Sequence, residues 1–214
     1  MRGVNRAGLR DNFSGMRSGK QGWRQWLGTL LFAALLGWTV PSNAREGDST
    51  GLRPAVMFVQ SGVTMGNTSS YTIGVSWNWN WSREFSFGTA TGYTEVAVGR
   101  WATENQRDAA GNNRRDWVTQ VGITPVIRIH PHSQFADWFV EGGVGVNLIR
   151  PFYRDDDRRF GTQFNFGDHI GIGREFGQYN HQEVALRLQH FSNAGIKEPN
   201  PGENFLQIRY SSRY

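Results

Sequence analysis

The chain contains no cysteine, and this absence excludes the small exported folds that depend on disulfide bonds. None of its 214 residues is a cysteine, so neither a disulfide framework nor a thiolate zinc site is available to stabilise it. A domain of about 170 residues can bury a sufficient core without such cross-links. We therefore expect a single domain that is held together by its own packing and hydrogen bonds.

The main part of the chain also lacks an excess of charge, although the formal net charge of the whole is +5. Residues 1–44 contain six basic residues and one acid, and the remainder contains 17 basic and 17 acidic residues. A domain that binds nucleic acid carries its positive charge on the folded part. The charge distribution therefore argues against nucleic acid as a partner.

Long apolar runs are scarce, and the clearest one is short for a membrane-spanning helix. It covers residues 26–40 (WLGTLLFAALLGWTV), whereas a spanning helix needs about 20 residues. Basic residues precede it, and the segment PSNA at 41–44 follows with small residues at the spacing that signal peptidase prefers. This layout predicts a cleavable signal peptide at residues 1–44, with Met16 as an alternative start. A retained anchor helix is the less favoured alternative.

Aromatic residues and glycine are abundant, and they occur in segments of alternating polarity. The chain is 14% aromatic and contains 27 glycines, which is typical of a β-barrel rather than of a helical membrane protein. In YTIGVSWNWNW, residues 71–81, the apolar side chains share one face and the small or polar side chains share the other. Strands that face lipid on one side require this alternation.

Eight alternating segments predict eight strands. They begin near Arg53, Tyr71, Glu84, Asp116, Phe135, Thr162, Gln182 and Glu203. Short connections are expected at 82–83, 131–134 and 177–181, and longer polar ones at 61–69, 103–115, 150–161 and 194–202. The fold class predicted for residues 45–214 is all-β, an eight-stranded antiparallel transmembrane β-barrel with long loops outside the cell. A soluble sandwich or lipocalin-like barrel is the alternative.

The segment HFSN places reactive side chains on a face that should contact lipid. Leu186 and Leu188 occupy that face, and its next members are His190 and Ser192. Residues two apart on a strand point the same way, with Cα atoms about 6.5 Å apart. A histidine near neutral pH can take the proton of a serine hydroxyl, and Asn193 with the backbone of the following AGI offers donors for an oxyanion. A structural histidine followed by an ordinary turn is the alternative.

The stretch HFSNAGIKEPNPGENF, from His190 to Phe205, resembles the C-terminal motif of the PagL family, the lipid A 3-O-deacylases of Gram-negative outer membranes. The resemblance implies an eight-stranded barrel that hydrolyses the ester-linked acyl chain at the 3-position of lipid A, without a metal or another cofactor. It implies that His190 is the general base and Ser192 the nucleophile. It also implies that Asn193 is the asparagine that is required for activity at the oxyanion site.

The third catalytic member departs from the family pattern. The resemblance implies a glutamate on the following strand that orients the histidine, but the corresponding position here is Asn204, beside Glu203. Alternation points Asn204 outward and Glu203 into the barrel, unless a bulge after Gly202 rotates the chain. We expect Glu203 to be the catalytic acid, with Asn204 as the alternative, since an asparagine orients the histidine in cysteine proteases.

These observations predict a serine esterase of the outer membrane whose active site faces the outer leaflet, where the acyl esters of lipid A lie. Lipid A, as part of lipopolysaccharide, is the expected substrate, and the oligomeric state is open between a monomer and a homodimer. The alternatives are a non-enzymatic structural or adhesive barrel, and a phospholipase or acyltransferase with the same chemistry. Basic residues in the predicted outer loops could contact lipid A phosphates. They are Arg150, Arg154, Arg158, Arg159 and Lys197.

Overall fold

A computed structural model describes residues 53–66, 68–107, 113–132, 136–155 and 158–214. Its strands are β1 (Val56–Thr64), β2 (Ser69–Phe85), β3 (Gly88–Arg107), β4 (Asn113–Pro131), β5 (Trp138–Arg150), β6 (Arg154–Asp155), β7 (Arg158–Arg159), β8 (Phe164–Phe176), β9 (Gln182–Ser192) and β10 (Glu203–Arg213). A short 3-10 helix, Gln178–Asn180, lies between β8 and β9. No helix in these ranges is long and apolar enough to cross a membrane. The predicted signal peptide at 1–44 lies outside the described residues and stays a prediction.

Eight of the strands close into an antiparallel barrel, in the order β1-β10-β9-β8-β5-β4-β3-β2. The first and last strands pair along their length, from Val56 opposite Arg213 to Thr64 opposite Phe205. Closure pairs the first strand with the last, so neither of them is left as a free edge of the sheet. Strands β6 and β7 form a separate small hairpin in the connection between β5 and β8. The predicted eight-stranded barrel is confirmed.

The first predicted tight turn is displaced along the chain. It was expected at 82–83, but β2 continues to Phe85 and its register against β3 shifts within residues 78–82. There the Trp79 ring packs over Gly92, where an added Cβ would lie 2.1 Å from the ring. A bulge lets one strand carry more residues than its partner. For this reason alternation alone predicted the turn too early.

Apolar side chains cover the outer surface of the barrel and form what we call the apolar belt. On β9 the outward residues Val184, Leu186 and Leu188 are 39, 53 and 57% exposed, while the residues between them are buried. Other large exposed members include Ile73, Val98, Val121, Ile123, Val140, Val144, Leu148, Ile170, Ile172 and Leu206. So extensive an apolar surface is unfavourable in water and is what a lipid-facing barrel presents.

The middle of the lumen is filled with paired charges. The Arg187 side chain is fully buried, and its guanidinium lies 2.6 Å from a Glu141 carboxylate oxygen and 3.2 Å from one of Glu95. Glu95 also accepts a 2.6 Å hydrogen bond from Arg209. Further ion pairs join Arg128 and Arg213 to Glu141, Glu175 and Glu183. Because these groups come from different strands, they cross-brace the barrel wall.

An aromatic cluster fills the lumen beyond these charges, behind the last residues of β9. The Trp101 ring is central to it, with centroids 4.8 Å from those of both Phe191 and Phe205. Tyr153 and Phe160, from the connection between β5 and β8, pack against each other and are buried in the same cluster. The inward residues around the candidate site are therefore fixed by packing.

Candidate active site

His190 lies near the end of β9 on the outward face, and the neighbouring strand holds its imidazole. His190 pairs with Asn204 of β10, and its Nδ1 lies 2.8 Å from the Asn204 amide oxygen. Because an amide oxygen can only accept a hydrogen bond, this contact keeps the proton on Nδ1. Nε2 is then left with a free lone pair, as a general base requires.

Gly202 borders the other side of the imidazole, a feature that sequence reasoning did not identify. Its φ angle is +68°, and a Cβ added there would lie 2.7 Å from Cε1 of His190. Glycine is the residue that adopts this backbone conformation without strain and leaves room for the ring. Gly202 therefore limits the positions that the imidazole can take.

Ser192 ends β9 on the same outward face, two residues beyond His190, and it is partly buried. It lies opposite Phe166 of β8. Within the described part of the chain, its hydroxyl forms no hydrogen bond with the imidazole. Catalytic hydrogen bonds are often long in a free enzyme and tighten when substrate binds. The fold thus brings the predicted nucleophile and base to one face.

An aspartate that sequence reasoning missed lies beside His190. Asp168 of β8 pairs with His190 in the strand register, and it is exposed on the outward face between Phe166 and Ile170. Its carboxylate lies on the face that carries His190, which makes Asp168 a candidate for a functional role. The signal was present in the alternation of β8, in which position 168 interrupts the apolar run of Phe164, Phe166, Ile170 and Ile172.

Glu203 lies inside the barrel, so the prediction that it orients His190 does not fit the geometry. Its side chain is 2% exposed, accepts a hydrogen bond from the Tyr153 hydroxyl and lies 3.5 Å from Nη1 of Arg158. The register between β9 and β10 is unbroken, with Glu203 opposite Phe191. Without a bulge, adjacent residues of a strand must point to opposite faces. Asn204, the alternative, therefore contacts the imidazole.

Asn193 is fully buried and organises the loop that follows β9. Its backbone N–H donates to Oδ1 of Asn200 at 2.9 Å, and its side-chain amide donates to the Lys197 carbonyl at 2.6 Å. Its own carbonyl accepts a 3.0 Å hydrogen bond from the Ile196 N–H. These contacts use the backbone N–H of Asn193 and one N–H of its side-chain amide, the group that was expected to hold an oxyanion.

Other backbone donors lie in the turn that follows Asn193. Ala194 and Gly195 have φ angles of +52° and +76°, and both are exposed. Their N–H groups have no acceptor among the residues that the structure describes. Successive N–H groups in a turn of this kind form a concave site for an anion. They are suitable donors for an oxyanion formed at Ser192.

The connection between β5 and β8 packs against the loop that follows β9. The Gly161 N–H donates a 2.7 Å hydrogen bond to the Pro199 carbonyl. A Cβ at Gly161 would lie only 2.5 Å from the Lys197 carbonyl oxygen. Glycine thus permits a close backbone contact that holds the loop after Ser192 in place.

Comparisons with known proteins identify the family and support the barrel fold. A family model described as lipid A 3-O-deacylase (PagL) matches residues 65–213. Lipid A deacylase PagL of Pseudomonas aeruginosa is 33% identical over 152 residues, which cover 71% of this chain and 78% of that protein. The enzyme of the same name from Bordetella bronchiseptica is 37% identical over 106 residues, or 50% of this chain and 56% of that protein. A crystal structure of the outer membrane enzyme PagL aligns with a TM-score of 0.62 at 29% identity, over 75% of this chain and 100% of that one.

Proposed function

Because the chain belongs to the PagL family of lipid A 3-O-deacylases, we propose that it is an outer-membrane enzyme that hydrolyses the 3-O-linked acyl ester of lipid A. The observation that carries this proposal is the pair of His190 and Asn204 on the outward face, at the end of the apolar belt. An ester of a membrane lipid is reached from that face and not from the lumen. A barrel without enzymatic activity would have no use for these groups against lipid.

Ser192 is the nucleophile of the proposed reaction, and His190 is the base. Nε2 of His190 takes the hydroxyl proton as Oγ of Ser192 bonds to the acyl carbonyl carbon. When the tetrahedral intermediate collapses, the bond from that carbon to the sugar 3-oxygen breaks, and this oxygen receives the proton from His190. A water molecule, deprotonated by His190, then attacks the carbonyl carbon of the acyl-serine. The bond from this carbon to Oγ of Ser192 breaks, Oγ receives the proton from His190, and the fatty acid is released.

Asn204 takes the orienting role that the family pattern gives to a glutamate. Its amide oxygen holds the proton on Nδ1 of His190, but it carries no charge to stabilise the imidazolium that forms during the reaction. We assign that electrostatic role to Asp168, which pairs with His190 from the other side. A fixed negative charge placed where positive charge develops in the reaction stabilises the transition state.

The N–H groups of Ala194 and Gly195 are the proposed oxyanion donors. They begin two residues after Ser192 and lie in a turn whose shape favours an anion. Asn193 acts on the reaction by fixing this turn through its contacts with Lys197 and Asn200. This role accounts for a requirement for Asn193 without placing its side chain on the substrate.

The position of these groups at one end of the apolar belt supports an active site in the outer leaflet, where lipid A lies. Lipid A is therefore the proposed substrate. All the catalytic groups come from one chain, so the reaction needs no second copy. The homodimer stays a prediction, which the sedimentation of detergent-solubilised chain would test.

Mass spectrometry of lipid A from Gram-negative cells that express the chain tests the proposal. We expect the mass of one hydroxyacyl chain to be lost from the 3-position, and no loss with the His190→Ala variant. Heat-modifiable migration in electrophoresis would show that both barrels fold. Intact lipid A beside a folded wild-type barrel would contradict the proposal. The release of fatty acid from glycerophospholipid, or a gain of acyl mass, would indicate the phospholipase or acyltransferase alternative.

A further inference from the structure

A further group of polar residues lies on the outward face, on strands that carry none of the proposed catalytic residues. Arg100 of β3 pairs with Thr119 of β4, and Thr119 pairs with Arg150 of β5. All three residues occupy outward positions. Adjacent strands are about 4.8 Å apart, so the Cα atoms of the two arginines are roughly 10 Å apart. We call these three residues the arginine row.

The arginine row lies at the end of the apolar belt that also carries the candidate active site. On each of the three strands the neighbouring outward residue on the side of the belt is apolar and exposed. These residues are Val98, Val121 and Leu148, which are 46, 44 and 47% exposed. On β9, Leu188 precedes His190 in the same way. Because the belt spans the hydrocarbon of the membrane, the first polar residues beyond it reach the headgroup level.

Neither arginine of the row has an acidic partner within the described ranges, in contrast to the arginines of the lumen. The guanidinium carbon of Arg100 lies 5.6 Å from the centre of the Trp117 ring. Trp117 is two residues farther towards the outer end of β4 than Thr119, so the Arg100 side chain extends away from the hydrocarbon. Long basic side chains reach the interface in this way. The row therefore presents two unneutralised cations at the headgroup level.

We propose that Arg100, Thr119 and Arg150 bind a phosphate group of a lipopolysaccharide molecule against the barrel wall. A phosphate accepts several charge-assisted hydrogen bonds at once, and the guanidinium group has the matching fork of donors. Two flexible arginine side chains can converge on one anion above the Thr119 hydroxyl. The proposal rests on the proposed outer-membrane location, but it does not require that the chain cleave lipid A.

The test uses the full chain, refolded in detergent, with Ser192→Ala added so that no substrate is consumed. Native mass spectrometry would measure the binding of bisphosphorylated lipid A and of the same lipid after removal of its phosphates. We expect Arg100→Gln with Arg150→Gln to weaken binding of the phosphorylated lipid roughly tenfold. Arg174→Gln is the matched control, because Arg174 is an exposed arginine near the opposite end of β8 that pairs with Asp137 at 3.2 Å.

The proposal would be overturned if the double variant and the Arg174→Gln control bound the phosphorylated lipid equally well. It would also be overturned if the double variant lost as much affinity for the dephosphorylated lipid as for the phosphorylated one. Kinetics of the active enzyme then identify the bound molecule. If the phosphate belongs to the substrate, the double variant raises KM for phosphorylated lipid A alone. If the phosphate belongs to a neighbouring lipid, the double variant binds one lipid fewer in native mass spectrometry and its kinetic constants do not change. A chain that binds lipid here without deacylating it would contradict the proposed function only.

Discussion

This barrel has polar groups in two regions, the lumen and the outward face at the end of β9. The two regions differ in how far these groups are paired with partners. In the lumen, Arg187 is enclosed between Glu95 and Glu141, with its donors directed at their carboxylates. On the outward face, His190 forms one hydrogen bond through Nδ1, and the Ser192 hydroxyl has no partner within the part described. The charges of the lumen network are mostly buried, whereas His190 and Ser192 are only partly buried at the end of the apolar belt.

The comparison separates groups that hold the fold from groups that are available for chemistry. A charge removed from water must be paired, because an isolated one costs several kcal/mol. A nucleophile and a base must instead keep a lone pair free for the substrate. The pairing of its charges therefore marks the Arg–Glu network of the lumen as structural, and the incomplete pairing at the end of β9 fits the reactive role proposed for it. Four tests can break or sharpen this distinction.

The largest effect is expected for Ser192→Ala, which removes the proposed nucleophile from the reactive region. Loss of the corresponding serine costs about 10⁶ in kcat in a soluble protease, and we expect a loss of similar size here. Release of fatty acid from purified lipid A measures it. Ser212→Ala, at another outward position near the far end of β10, should keep full activity. Wild-type turnover by a folded Ser192→Ala barrel would reject the assignment.

The second substitution breaks the lumen network. Arg187→Met leaves Glu95 and Glu141 without their shared cation, which should lower the free energy of unfolding by about 3–5 kcal/mol. Urea unfolding in lipid vesicles, followed by tryptophan fluorescence, measures this change. The control Arg174→Met breaks an exposed pair and should cost at most about 1 kcal/mol. Because the network is structural, kcat of the folded Arg187→Met enzyme should change little, and a large fall would show that the two regions are coupled.

The third test compares adjacent residues that point to opposite regions. Asn204→Ala should lower kcat about 100-fold, since the imidazole loses the acceptor that sets its tautomer. Glu203→Gln should leave kcat within a few-fold and lower stability instead, because Tyr153 and Arg158 lose a charged acceptor. Asn204→Glu should retain activity, as it restores a carboxylate on the outward side. If the kinetic effects of Glu203 and Asn204 were exchanged, alternation would be the wrong guide to the third member.

The smallest effect is expected at Gly202. An alanine there would meet Cε1 of His190 and would have to adopt a positive φ angle, so the imidazole must shift. We expect kcat to fall about tenfold, because small displacements of a catalytic group are costly. KM should not change, since Gly202 does not bind the lipid. Gly195→Ala is the comparison for backbone strain alone. Gly195 also has a positive φ angle, but an added Cβ would have nothing within 4 Å. A silent Gly202→Ala variant would show that the imidazole tolerates this movement.

Much of the site was predictable because it depends on the local geometry of single strands. The alternation of β9 placed His190 and Ser192 outward, and that of β10 placed Asn204 outward and Glu203 inward, as the structure has them. The expectation that Glu203 is the catalytic acid set this alternation aside in favour of residue type. The physical rule was the better guide, because no bulge interrupts the pairing of β9 with β10.

The sequence by itself determined the class of fold and the face on which each strand residue lies. Both follow from the two-residue period of an extended chain, which every segment carries locally. Only the tertiary structure decided which residues meet across strands: Asn204 and Asp168 beside His190, and Arg100 in one row with Arg150. Register between strands is set by bulges, turns and closure of the whole barrel, and no single segment contains that information.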